Sequence, residues 1–267
     1  MPIQWTNALA ANDWYTAANW TPHTAAGAWL PGDIAEFDNT GTATLAEINM
    51  SAGNLSLGAI SIGTRTRDLT IGNSSPVAGT GLLQLNGATV KGINNVVLST
   101  GTNIPPYTLY LEDRLSGMTS HMQIVLGNST DNIFLVDNEM GSAMKISATI
   151  SGVGKKLTLG MKPGGGSAGI LTLSGANTYT GITMVNARHG SIVLARFGGN
   201  TLPPTNDVEV HDGRMNIKSN QTLRNVKVGG LGVLEIDPGV VLTITGRLDT
   251  GPLDTLGGKV KGTVVFV

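Results

Sequence analysis

A unit of apolar, polar, apolar and small residue recurs along most of this chain, and a recurrence so short and frequent leaves few folds open. It reads Leu55-Ser-Leu-Gly58, Ile60-Ser-Ile-Gly63, Leu69-Thr-Ile-Gly72 and Leu83-Gln-Leu-Asn86. It returns as Leu157-Thr-Leu-Gly160, Leu171-Thr-Leu-Ser174, Val226-Lys-Val-Gly229, Leu234-Glu-Ile-Asp237 and Leu242-Thr-Ile-Thr245. Alternation with period two is the mark of a strand with one buried face, and the small residue suits a corner after it. Short strands and tight corners at a repeating interval predict a solenoid, in which each unit buries its apolar face only by stacking on the next. Units of about 20 to 25 residues give on the order of ten, and strands about 4.8 Å apart then make a rod roughly 45–50 Å long.

Composition agrees. Charged residues are 13% of the 267, against a usual share of about a quarter, and glycine reaches 37. With 40% apolar residues the chain is not of the disordered class, which combines low hydrophobicity with high net charge. Sustained helical spacing is absent, so the expected class is all-β. There is no cysteine, so disulfides and thiolate metal sites are excluded. A formal net charge of −1 gives no general attraction to nucleic acid or an anionic membrane, and neither is expected as a partner. No apolar run reaches the length of a spanning helix, so no membrane insertion is expected. The opening Met-Pro-Ile-Gln-Trp lacks the basic and apolar regions of a signal peptide.

Residues 171–194 carry the clearest single unit. Leu171 and Leu173 alternate with Thr172, residues 174–177 break the strand as a turn, and Ile182, Met184, Ile192 and Leu194 are expected to resume the buried pattern. This stretch resembles the repeat of autotransporter passenger domains at Leu171, Leu173, Ser174, Gly175, Asn177, Thr178, Tyr179, Gly181, Thr183, Val185 and Gly190. The resemblance covers about one unit well and the flanks loosely, and implies a right-handed parallel β-helix. The chain departs from that repeat at Arg188-His189, where small residues are usual.

Residues 1–40 differ from the rest. They hold all four tryptophans, Trp5, Trp14, Trp20 and Trp29. The expected role is a cap over the apolar end of the stack, with stacking on sugar rings as the alternative. The string from Asn12 to Trp20, with Pro31-Gly32-Asp33 and Phe37-Asp38, resembles the openings of β-helical surface proteins, phage proteins among them. Residues 41–267 form the expected parallel β-helix, with an irregular excursion near 101–145 around Pro105-Pro106, Arg114 and Met118, Met122, Met140 and Met144. Gly164-Gly165-Gly166 and Pro203-Pro204 mark two further loops.

The best candidate for chemistry is the run from Asp207 to Arg214. With Val208 and Val210 inward, Asp207, Glu209 and His211 form an outward row and Arg214 follows just past a turn. Outward acids beside a basic residue suit calcium binding and proton abstraction next to a sugar carboxylate; a solvated strand face is the alternative, and the row is not expected to be catalytic. There is no Gly-x-Ser-x-Gly elbow, and His23, His121, His189 and His211 have no metal-ligand spacing. His189 reads as a polar corner residue, and Gly152 to Lys156 lacks the spacing of a phosphate loop.

The expected function is therefore a non-catalytic structural surface protein, without cofactor or metal. First comes a phage or virion decoration or fibre component, and second an exported, autotransporter-like adhesin at the cell surface. A polysaccharide-lyase-like enzyme comes third. Expected partners are copies of itself, a trimer among the options, or neighbouring particle subunits, and a cell-surface glycan. The self-association rests on the apolar strand from Thr263 to Val267, expected to leave an open edge.

Overall fold

The computed structural model describes residues 1–6, 14–22, 29–37, 47–50, 54–63, 67–73, 81–100, 107–113, 122–128, 131–136, 143–160, 168–251 and 258–267. Among them the regular structure is β, apart from one 3-10 turn, Ala17–Asn19. The protein is all-β with parallel sheets, and only two of the strand pairings are antiparallel.

Three sets of strands alternate along the chain. The first contains Ile34–Phe37, Ala59–Ile62, Ile93–Ser99, Asn132–Leu135 and Leu157–Leu159, and continues through the start of Thr183–Leu194 and of Val208–Ile217 to Val226–Val228 and Leu248–Asp249. The second contains Glu47–Asn49, Leu69–Asn73, Thr108–Asp113, Ala143–Ile146 and Ile170–Leu173, then residues 191–194 and 214–217, Val233–Ile236 and Lys259–Lys261. These two ladders join in one sheet, because Thr183–Leu194 and Val208–Ile217 run through both. The third set is two smaller sheets: Asn54–Leu57, Leu82–Leu85, Gln123–Leu126 and Thr149–Ser151, then Gln221–Leu223, Val241–Ile244 and Thr263–Phe266.

The interval between paired positions explains why so many pairings are parallel. From residue 157 on, partners lie 18 residues apart at the closest (Val208 to Val226) and 26 at the widest (Leu157 to Thr183). A dozen or more residues is what a parallel crossover needs. Earlier the interval widens to 40 (Leu69 to Leu109) and 41 (Leu83 to Ile124). Thr108–Asp113, Gln123–Leu126, Asn132–Leu135 and Ala143–Ile146 keep their places in the ladders, so the irregularity of residues 101–145 lies in added connecting chain. Pro105, Pro106, Arg114, Met118 and Met140 lie outside the described residues, as do Gly164 to Gly166.

Register turns alternation into columns. Ile71, Leu111, Ile146, Leu173, Leu194, Ile217 and Ile236 face one another from strand to strand, and all are buried. Each such side chain contributes about 1.5–3 kcal/mol of transfer free energy. Leu157, Leu159, Leu171 and Leu234 are buried as their alternation predicts. Residues 182–185 break the expectation: Thr183 and Val185 point into the core, while Ile182 and Met184 are half-buried. Register decides this, since Thr183 lies between Leu157 and Val208, and Val185 between Leu159 and Val210. The Thr183 hydroxyl can sit there because it meets the buried Tyr179 hydroxyl at 2.7 Å. Burial pushes the Tyr179 phenol well above its ordinary pKa.

The four tryptophans are also buried. Their rings pack on one another and on Phe37 at centroid distances of 4.7–5.8 Å, next to strand Pro2–Trp5, which pairs with Ile34–Phe37. Rings spent on each other in this way are not offered to a sugar. Asn12, Asp13 and Asp38 of the same segment lie outside the described residues.

Candidate functional site

Val208 and Val210 point inward, so Glu209 and His211 share the outer face of Val208–Ile217. The His211 Nε2 atom lies 2.7 Å from Glu209 Oε2. Asp207 turns to the next strand instead, where Arg224 donates to both its carboxylate oxygens at 2.9 and 2.7 Å and Asn225 Nδ2 donates at 3.0 Å. The Arg224 hydrogen bonds hold the Asp207 carboxyl below its ordinary pKa, against the opposing pull of partial burial. Arg214 lies within the same strand and not past a turn; its Nη1 is 3.1 Å from Glu235 Oε2. The expected row thus divides into three separate pairs.

Gly213 is what redirects this strand. Its φ is +101°, and a Cβ there would stand 2.5 Å from the Ala187 carbonyl oxygen. Only glycine fits both demands. The neighbouring strand bends in step: the register between Thr183–Leu194 and Val208–Ile217 shifts around Asn186, and His189 has a φ of +58°. Non-glycine residues in that left-handed region are uncommon and mark local constraint. His189 therefore lies within a bulged strand and not at a corner between strands.

The bulge opens a groove of about 580 Å³ lined by Arg188, His189, Ser191, Asp212, Arg214 and Asn216, with Ile170 and Leu231 at its apolar margin. Arg188, His189 and Asp212 have no hydrogen-bond or ion-pair partner among the described residues. Asn216 Nδ2 donates to Ser191 Oγ at 3.1 Å, while its Oδ1 is buried without a partner. A second groove, about 530 Å³, begins where the same two strands end and is lined by Ala195, Arg196, Phe197, Gly198, Gly199, Lys218, Ser219 and Asn220.

Sequence reasoning singled out Arg188 and His189 only as a departure from a repeat, and passed over Lys218, Phe197 and Leu231. An unpaired aromatic beside Gly198-Gly199 at a strand end was the available signal. His23 and His121 lie outside the described residues. Among the described residues no group of three or more His, Asp or Glu side chains is arranged to hold a metal ion, and no helix is long and apolar enough to cross a membrane. Compared with known protein families, curated proteins and solved structures, the chain matches none.

Proposed function

We propose that this chain is a right-handed parallel β-helix with a tryptophan-rich N-terminal cap, and that it serves as a non-catalytic structural component of a particle surface, such as a virion decoration or fibre protein. The observation that carries the reading is the continuous aliphatic core under the three sets of parallel strands, which contains Ile3 at one extreme and Ile244 at the other. Such a core resists exposure to solvent because nearest-neighbour stacking continues along its whole length. Self-association through strand Thr263–Phe266 belongs to the proposal: it pairs with Val241–Ile244 on one side, and Val265, Phe266 and Val267 are exposed. The non-catalytic part is supported by the pairing of Asp207, Glu209 and Arg214 with Arg224, His211 and Glu235.

The rival reading, an exported adhesin, is favoured by the likeness of residues 171–194 to autotransporter repeats. Immunogold electron microscopy of the source culture separates the two. Label on free particles supports the first reading and label on the cell envelope the second. Label confined to the cell interior overturns both.

A further inference from the structure

The two grooves are parts of one surface. Arg214, Asn216 and Lys218 are successive outward positions on a single strand, about 7 Å apart at strand rise, while Met215 and Ile217 between them are buried. Arg214 and Asn216 line the first groove and Lys218 the second. A continuous strip therefore runs along the strand direction from Arg188 and His189 to Phe197.

The chemistry of the strip is uneven in an informative way. Arg188 and Lys218 carry positive charge with no partner among the described residues, in a chain where only 13% of residues are charged. Asp212 offers an unpaired carboxylate beside them. Three of the nine large hydrophobic side chains exposed among the described residues border the strip: Ile170, Leu231 and Phe197. Phe197 is fully exposed, yet its loop is pinned. Arg196 N donates to Thr201 Oγ1 at 3.1 Å, Arg196 Nη1 to the Asn200 carbonyl at 3.0 Å, and Thr222 N to Asn200 Oδ1 at 2.7 Å. The buried Gln221 amide fixes the far side by accepting from Thr201 N and Leu202 N. A phenyl ring held outward on a fixed loop has already met much of the ordering cost of binding.

We propose that this strip binds a linear carboxylated saccharide. Arg188 and Lys218 take carboxylates, Asp212 and Asn216 accept from sugar hydroxyls, and the apolar faces of the rings lie on Phe197 at one end and Ile170 and Leu231 at the other. Arginine forks suit carboxylates in particular. Polar hydroxyls and apolar ring faces together match a surface that mixes unpaired charge with exposed hydrophobic groups. Simple anions would leave the hydrophobic margin unused, and the chain's net negative charge disfavours nucleic acid. The proposal deepens the surface-protein reading by naming what such a surface would hold, and labelling of particles or envelopes succeeds or fails independently of it.

Isothermal titration of the full chain tests this with tetragalacturonate, a hyaluronan tetrasaccharide and a sialic acid trimer as probes. At least one should bind with a submillimolar dissociation constant, and neutral galactotetraose at least tenfold more weakly. Arg188→Ala with Lys218→Ala should weaken binding tenfold or more, and Phe197→Ala severalfold, with unchanged melting temperatures. Failure of all three probes at millimolar concentration overturns the proposal. So does equal binding of the neutral sugar, of an oligothymidylate of the same charge, or of the probe to the variants.

Discussion

At Thr183 a hydroxyl occupies a column whose neighbours, Leu157 and Val208, offer only hydrocarbon, and it is tolerated because Tyr179 meets it. Tyr179→Phe should therefore cost about 1–3 kcal/mol, the penalty of a buried unpaired hydroxyl. Adding Thr183→Val should restore most of the loss, because replacing both partners leaves nothing unsatisfied; denaturant unfolding of the two variants checks the pair. Asp207 makes a prediction in pH. Its carboxyl titrates lower in the folded protein than its ordinary 3.8, chiefly through Arg224. The stabilisation is therefore fully present above the unfolded value and disappears as pH falls below about 4 toward the depressed folded value. The stability difference between the wild type and Asp207→Asn should shrink over that acidic range and stay flat from pH 5 to 7. A difference independent of pH would show that the Arg224 contact does not favour the charged form.

At the scale of the strand, alternation decided which side faces the core wherever aliphatics mark it. Leu171 and Leu173 are buried as the pattern implies, and Leu173→Asp should abolish soluble expression, since an unpaired charge would enter the column between Ile146 and Leu194. A soluble, cooperatively melting variant would contradict that placement. Gly213→Ala should destabilise by at least about 1–3 kcal/mol, because the φ and the Ala187 carbonyl both oppose a Cβ; thermal melting reads it. Residues 182–185 were not legible in the same way. Alternation favours Ile182 and Met184, and only the register against Leu157 and Leu159 and the phenol of Tyr179 turn Thr183 and Val185 inward. The charged row was legible on one face but not in its partners, since Arg224 and Glu235 reach it from strands 17 residues after Asp207 and 21 after Arg214. The strip from Arg188 to Phe197 was hidden for the same reason: connecting lengths, not local pattern, bring residue 188 beside 214.

For the whole molecule, far-UV circular dichroism should show β structure with almost no helix. If strand Thr263–Phe266 mediates association, deleting residues 263–267 should lower the molar mass seen by light scattering while leaving the melting transition largely in place. An unchanged mass, or a monomeric wild type at micromolar concentration, would count against self-association. The spacing of the ladders also has a mechanical consequence. From residue 157 onward each strand is held by partners only 18 to 26 residues away, so a chain pulled by its ends would not give way at one long-range clasp. It would peel strand by strand. Each released segment would add roughly 60–90 Å of contour at about 3.4 Å per residue, and the wider intervals near Leu69 and Leu83 would add larger steps of roughly 140 Å. Under load the protein would pay out its length in small, repeated extensions, as a shock absorber does, and keep the unpulled remainder folded.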